Sequence, residues 1–417
     1  MRIDKDNIKI FLILLIIGLG IGYAYINSDL NINGTAQVNH ANWDVHWANI
    51  QVTNGSVSGT NVVTAPSISN STTASYSIIL NTPGDYYEFT VDEVNGGSID
   101  AMIDTIDSKL NGATITTLPD YLKYTVTYSD GVALEPNHQL LHNTIEKYKV
   151  RIEYNADIEL NQIPATNQTL ELQFTVTYRQ ATDDAIAVDH SFNGHSWETI
   201  INNVRSGNTD IYNIGDIKTV DLGTFGTHTL RIANMSTPAE CSQEGFSQTA
   251  CGFVLEFADV ITEREMNSTD TNVGGWPASS VYTYVNSDIY NALPEQLKNG
   301  ITSTEVVSGH GTGESNFTST DKLYLLDVKE IYGESFKSSI NTSKDYERQL
   351  DYYNNAGVTT SNYSGAIKQY NGSNVRWWMR SAHPGYTNTF YYVYNNGYLS
   401  NGSVRNTSGV SPAFRIG

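Results

Sequence analysis

Tyr148-Lys-Val-Arg-Ile-Glu-Tyr154 alternates without a break: Tyr148, Val150, Ile152 and Tyr154 face one way, and Lys149, Arg151 and Glu153 the other. Leu122-Lys-Tyr-Thr-Val-Thr-Tyr128 repeats the pattern and runs into Ser129-Asp-Gly131, a turn signal. Leu170-Glu-Leu-Gln-Phe-Thr-Val-Thr-Tyr178 repeats it again. A period of two places alternate side chains on opposite faces of a strand. Several such segments separated by polar turns predict an antiparallel β-sandwich with one wet face. That reading covers residues 29–181.

The composition fits strands better than helices. The chain has 417 residues, 27 of them Tyr, and only 16% carry charge, against a usual quarter. With 39% hydrophobic residues it can build cores. The 44 acidic residues outnumber the 24 basic ones, for a net charge of −20. A polyanion is repelled over most of such a surface, so nucleic acid is excluded as a partner.

The N-terminus reads as a targeting segment. Phe11-Leu-Ile-Leu-Leu-Ile-Ile-Gly-Leu-Gly-Ile-Gly22 lies inside an apolar stretch from Ile8 to Tyr25, preceded by Arg2, Lys5 and Lys9. A basic start before an apolar run is a signal anchor or a signal peptide, and about 18 residues is near the minimum for a spanning helix. Residues 1–28 are therefore expected to be a cytoplasmic stub and a membrane helix with everything after it outside. Cleavage near residues 22–27 would instead release the protein. Outside the cell, Cys241 and Cys251 are expected to form a disulfide. A zinc site would need two further ligands, and no His is close in sequence.

Beyond a linker at 182–194, residues 195–417 read as an α+β domain. Ser196 can cap a helix in which Trp197, Ile201 and Val204 share a face, and Gly207 can end it. Strands are expected at Ile217–Leu222, Thr229–Ile232 and Gly252–Phe257. A second helix should follow Gly274-Gly-Trp-Pro277, with Val281, Val285 and Ile289 on one side. The polar stretches Ser308–Thr320 and Ser338–Gly372 read as loops. The tail, Arg376-Trp-Trp-Met-Arg-Ser381 through Phe390-Tyr-Tyr-Val-Tyr394 to Ile416, reads as closing hairpins, with Asn396-Gly397 as a type I′ turn.

Two resemblances follow. The anchor, Gly22-Tyr-Ala-Tyr25, a Trp-rich strand, Pro83-Gly-Asp-Tyr-Tyr-Glu-Phe-Thr-Val91 and Asn95-Gly-Gly-Ser-Ile-Asp-Ala101 together resemble exported Firmicutes sandwiches of the camelysin and TasA biofilm-fibre type. That implies a jelly-roll-like subunit, some of whose relatives form fibres by donating a strand to a neighbour. Trp377-Trp-Met-Arg-Ser381 followed by Gly409-Val-Ser-Pro-Ala-Phe-Arg-Ile416 resembles a bacterial surface-domain family of uncharacterised function, departing from it at Ser411, where Arg is commoner. Trp197, Tyr212, Gly215-Asp216, Arg231, Met266-Asn267, Gly274-Gly-Trp276 and Leu293-Pro294 fall in that family's order. The family in turn resembles the C-type-lectin-like fold of formylglycine-generating enzymes. Their oxidase chemistry needs a late thiol pair, and no Cys follows Cys251.

The candidate ligand-binding residues are Tyr386, Asn388, Tyr391, Tyr392, Tyr394, Asn395, Asn396 and Tyr398, because Tyr and Asn around turns make adaptable recognition surfaces. They are expected to project into solvent. Trp377, Trp378, Arg380, Phe414 and Arg415 are expected to be structural; adjacent Trp residues on a strand point to opposite faces, so at least one belongs to the core. His138 and His142, four apart, flank a turn and are read as no metal pair. Gly309-His-Gly-Thr-Gly-Glu-Ser315 lacks the Lys-Ser/Thr of a phosphate loop. No catalytic constellation can be named, so no enzyme activity and no cofactor are expected. A Ca²⁺ site is compatible with so acidic a surface but has no motif. The sequence points to a cell-surface binding or adhesion protein: an anchor, a sandwich stalk, and a lectin-like tip for a glycan or protein ligand. The alternatives are a subunit or accessory of a surface fibre, with homo-oligomers formed through the sandwich, and, more remotely, an enzyme of the formylglycine-generating or another type.

Overall fold

A computed structural model describes residues 9–10, 12–14, 40–70, 72–166, 168, 170–309, 315–336 and 346–417. The expected membrane helix falls almost wholly outside them, and no helix among the described residues is long and apolar enough to cross a membrane. Residues 43–417 form one compact unit, mainly β, and its sheets segregate along the chain.

The first ten strands pair only with one another. They are β1 (Val45–Gly55), β2 (Val62–Asn70), β3 (Thr73–Ile78), β4 (Tyr86–Asn95), β5 (Ala101–Leu110), β6 (Ala113–Thr114), β7 (Leu122–Tyr128), β8 (Gln139–Leu140), β9 (Thr144–Tyr154) and β10 (Leu172–Gln180). One sheet runs β1-β4-β9-β7; the other runs β10-β5-β6, with β8 also on β5; β2 and β3 form a separate hairpin. The pairs named here are antiparallel. The alternation expected from sequence sets which face is inside: Leu122, Tyr128, Tyr148, Val150 and Ile152 are buried, and Lys123 and Lys147 are exposed. Tyr87, Phe89 and Val91 of β4 join them in the core.

The second half opens with α1 (Trp197–Ser206). Ser196 Oγ accepts from the Thr199 N–H at 3.0 Å, and Gly207 ends the helix at φ 76°, a left-handed conformation that costs glycine little. Then come β11 (Ile217–Asp221), β12 (Thr227–Asn234), β13 (Phe253–Phe257) and β14 (Thr262–Glu265). The second expected helix forms as α2 (Ser280–Tyr284), which widens into a π turn over Val285–Ile289 before a last turn at Tyr290–Ala292. Val281, Val285 and Ile289 are all fully buried. A short α3 (Glu295–Lys298) precedes β15 (Thr304–Ser308) and β16 (Phe317–Asp321); α4 (Val328–Tyr332) and α5 (Asp351–Asn355) follow. The remaining strands are β17 (Lys368–Tyr370), β18 (Ser373–Val375), β19 (Trp377–Ala382), β20 (Thr389–Val393), β21 (Leu399–Ser403), β22 (Thr407–Val410) and β23 (Ala413–Ile416). Two sheets form the body, β11-β12-β13-β23 and β14-β22-β19-β20-β21, around one core that runs from Phe192 to Ile416.

Two expected loops are partly regular. Within Ser308–Thr320, the register sets Ser308 against Phe317 in a β15–β16 hairpin; residues 310–314 lie outside the described set. Within Ser338–Gly372, α5 and β17 form, and residues 338–345 again lie outside it. Polar composition hid both, because inward positions such as Asp321 and Lys368 are polar side chains whose partners lie far off in the sequence. Cys241 and Cys251 are disulfide-bonded, with Cα atoms 5.9 Å apart.

Candidate functional site

The tail builds the centre of the second domain. Trp377 and Trp378 point to opposite faces of β19, yet both are fully buried, because the strand is covered on both sides. Trp377 Nε1 donates to the Ala366 carbonyl at 3.0 Å and Trp378 Nε1 to that of Arg264 at 2.9 Å, so each indole N–H is satisfied as burial requires. Phe414 is buried with its ring centroid 6.5 Å from that of Phe257. Arg415, on the same strand, is half-buried.

Arg380 is fully buried at the hub of a charged cluster. It donates to the Val307 carbonyl at 3.1 Å and the Leu325 carbonyl at 2.9 Å. It also makes a bidentate pair with Glu330 at 2.6 and 2.7 Å and a second ion pair with Glu347 at 2.7 Å. Ser381 donates to Asp327, which caps α4 in a reciprocal box with Glu330. Three carboxyl groups thus surround one guanidinium. Burial, then Asp327's charge, pushes the Glu347 carboxyl well above the ordinary range, against the pull of Arg380. The carboxylates lie 33 and 50 positions away, beyond the reach of any local pattern in the sequence.

A second buried network closes the other sheet. Glu256 accepts from Arg231 at 2.7 Å, from Lys368 Nζ at 2.7 Å and from the Tyr353 hydroxyl at 2.9 Å. Lys368 also donates to Ser411 Oγ at 2.9 Å and lies 4.4 Å from the Trp377 ring centroid. Burial alone would raise the Glu256 carboxyl; Arg231 and Lys368 hold it down at about 2. Ser411, the departure noted in the sequence, accepts from a buried lysine and donates to the Phe257 carbonyl at 2.9 Å.

The Tyr/Asn segment divides in two. Tyr391 and Tyr392 do not project into solvent: they are 5% and 9% exposed. Both sit inside β20, a central strand, where one ring meets Phe336 and His383 and the other meets Trp378. Burial, then Asp327's charge, pushes the Tyr391 hydroxyl up to about 12. The other residues cluster at the two ends of that strand. At one end, Tyr386 is exposed and packs on His383 with ring centroids 4.7 Å apart. Asn388 there is held to Asp270 at 3.0 and 3.1 Å. Buried Asn272 ties this loop down by donating to the carbonyls of His383, Tyr386 and Thr389 at 2.7–3.3 Å. At the other end, Tyr394, Asn395, Asn396 and Tyr398 are exposed, and Tyr398 meets Tyr363 edge-on with centroids 5.6 Å apart. Five residues of strand separate the ends, roughly 17 Å at about 3.3 Å per residue.

The turn itself differs from the expected type I′. The Gly397 N–H donates to the Tyr394 carbonyl at 2.8 Å, so Asn395 and Asn396 are its central residues. Neither has positive φ, whereas Gly397 follows at φ 88°, the pattern of a type I turn with a glycine bulge. A Cβ at Gly397 would lie 2.0 Å from the Tyr363 carbonyl oxygen.

One polar cluster was not legible as a site. Asp130, at the tip of the turn after β7, accepts from His190 Nδ1 at 2.6 Å and His195 Nε2 at 3.1 Å. His195 Nδ1 lies 2.7 Å from the Tyr212 hydroxyl, and Asn203 of α1 donates to the Asp130 carbonyl at 2.7 Å. Burial would raise Asp130, but hydrogen bonds from His195, Val132 and His190 lower it to about 2. This joint ties the sandwich to the second domain. Beside it lies a cavity of about 300 Å³ lined by Thr90, Ser129, Lys149, Asn208 and Asp210 among others. His138 and His142, weighed as a metal pair, go separate ways, to Tyr128 and to Asp100. Among the described residues no cluster of three His, Cys, Asp or Glu side chains could hold a metal.

A search of curated proteins found no match to the chain. Residues 253–417 match the model of a domain of unknown function, DUF6273. The match starts at the first residue of β13 and takes in the whole tail, so α1, β11 and β12 lie outside it. What the chain is similar to in that family is therefore the part of the second domain that carries Glu256, Lys368, Arg380 and the two ends of β20.

Proposed function

We propose that this is a non-enzymatic surface-displayed binding or adhesion protein. In this reading the apolar N-terminus anchors it, the sandwich serves as a jelly-roll-like stalk, and residues 195–417 form a C-type-lectin-like tip for a glycan or protein ligand. The observation that carries the reading is where large apolar groups remain exposed. Among the described residues C-terminal to Val273, the exposed large hydrophobic side chains are Tyr346, Tyr386, Tyr394 and Tyr398. Three of these four flank a single strand, on a scaffold fixed by two buried charged networks. Rigid aromatic anchors with adaptable amides beside them suit recognition, and holding them in turns at the two ends of a central strand gives them a fixed geometry. Glycan arrays and cell-binding assays with the full protein, compared with a Tyr394→Ala/Tyr398→Ala variant, test the proposal. Binding that the double substitution abolishes is expected; a ligand bound equally well by both proteins would overturn the site. Protease shaving of intact cells tests the placement, and fragments obtained only after lysis would refute it.

A further inference from the structure

The inner row of β4 reads Tyr87, Phe89, Val91, Glu93, Asn95, and all five are buried. A carboxyl group in that row is out of keeping with a sandwich core. Directly across the ladder on β9 stands Glu146, and its spacing from Tyr148, Val150 and Ile152 puts it on the same face. Like charges directly opposite each other destabilise a sheet. From the facing sheet, Tyr178 donates its hydroxyl to Glu93, and the Tyr148 and Tyr178 hydroxyls bond each other. Tyr128 of β7 closes the group, its ring 5.3 Å from that of Tyr148. On β1 the residue opposite Glu93 is Trp47, which does not titrate. Among the described residues no cation pairs with Glu93. The nearest imidazole to Glu146 is His190, with Nε2 at 3.7 Å, and its other nitrogen is held by Asp130 in the joint.

We propose that Glu93 and Glu146 form a proton-operated fastening at the end of the sandwich beside the second domain, closed while the pair holds a proton and loosened when both carboxylates are charged. Burial pushes Glu93 up to about 7, with the Tyr148 and Tyr178 hydroxyls pulling down and Glu146 pushing further up. Burial raises Glu146 as well, with His190 opposing and Asp130 adding to the rise. Because the folded value of Glu93 lies above the ordinary 4.5, folding takes up a proton. The stabilisation is complete below about pH 4.5 and is lost as pH rises through about 7. Ionised Glu146 then draws His190 Nε2 towards itself, and because Asp130 holds the ring's other nitrogen the change is carried into the joint.

The test is a carbon-detected carboxyl titration of the full-length protein. A Glu93 midpoint near 7 is expected. The unfolding equilibrium constant should rise on the order of a hundredfold between pH 4.5 and 8, and Glu93→Gln should remove most of that rise. A Glu93 midpoint at the ordinary glutamate value would overturn the proposal, as would a Glu93→Gln protein with the wild-type pH slope. Should that variant fail to fold, Tyr178→Phe, which removes a hydroxyl that lowers Glu93, should move the midpoint upward; an unmoved midpoint would overturn it equally.

Discussion

Trp378 and Tyr391 lie one strand apart, and the structure gives them the same task. Each fills core space, so Trp378→Ala should cost about 3–5 kcal/mol in chemical denaturation, and Tyr391→Ala should be destabilising by several kcal/mol too. Tyr394→Ala and Tyr398→Ala should leave the melting temperature nearly unchanged while weakening binding by about 1–2 kcal/mol each, measured by titration against whatever ligand the arrays return. The sequence showed which residue types gather here, but not that Tyr391 and Tyr392 lie in a strand with neighbours on both sides. An alternating strand and a doubly covered strand differ in what packs above them, and that is set by chain segments far away. Arg380 teaches the same lesson from the polar side. Arg380→Ala would leave Glu330 buried without its bidentate partner, so a loss of about 3–5 kcal/mol is expected. A Lys at the position should rescue little, since a single ammonium cannot make the bidentate contact with Glu330.

Elements were legible in proportion to how far local chemistry alone decides them. The cap of α1 is such a case: Ser196, Glu198 and Gly207 occupy the positions that helix ends prefer. Ser196→Ala should cost about 1 kcal/mol, read from the denaturation midpoint. The strands β7, β9 and β10 of the sandwich were equally plain, because each alternates an apolar face with a polar one. By contrast β16, with Phe317, Ser319 and Asp321 turned inward, looked like loop. Its inner partner is the Trp276 indole, which donates to Asp321 at 2.8 Å, and no pattern of hydropathy announces such a bond. The segment around Cys241 and Cys251 was read correctly from two residues. Reducing it should lower stability by about 2–3 kcal/mol, since so short a loop restricts the unfolded chain only modestly; calorimetry with and without reductant measures this.

At the scale of the molecule, the turn Ser129–Gly131 matters more than its length suggests. Asp130 meets two histidines, and α1 donates to its carbonyl as well as to that of Gly131, through Thr199 at 3.2 Å. The carboxyl group's folded value lies below its ordinary 3.8. Its contribution is therefore present above about pH 4 and lost as pH falls towards 2. Asp130→Asn should remove about 1.5–3 kcal/mol for each charged hydrogen bond it weakens. In scanning calorimetry it should split one cooperative transition into two, the sandwich melting apart from the second domain. A single unshifted transition would show that other contacts hold the halves together. The turn itself was visible in the sequence; its partners, some sixty residues on, were not.

The ladder of β13 and β23 sets Phe253 against Ile416 and Glu256 against Ala413. Every residue of β13 is buried, so as the ribosome adds the intervening residues this apolar strand lacks its neighbour. Loop-closure entropy makes such distant pairings slow to form. Nascent chains should therefore linger with β13 uncovered, in a state prone to sticking to other chains or to holdase chaperones. Yield of native protein in cells should then depend more on synthesis rate and temperature than the equilibrium stability of the finished domain would suggest.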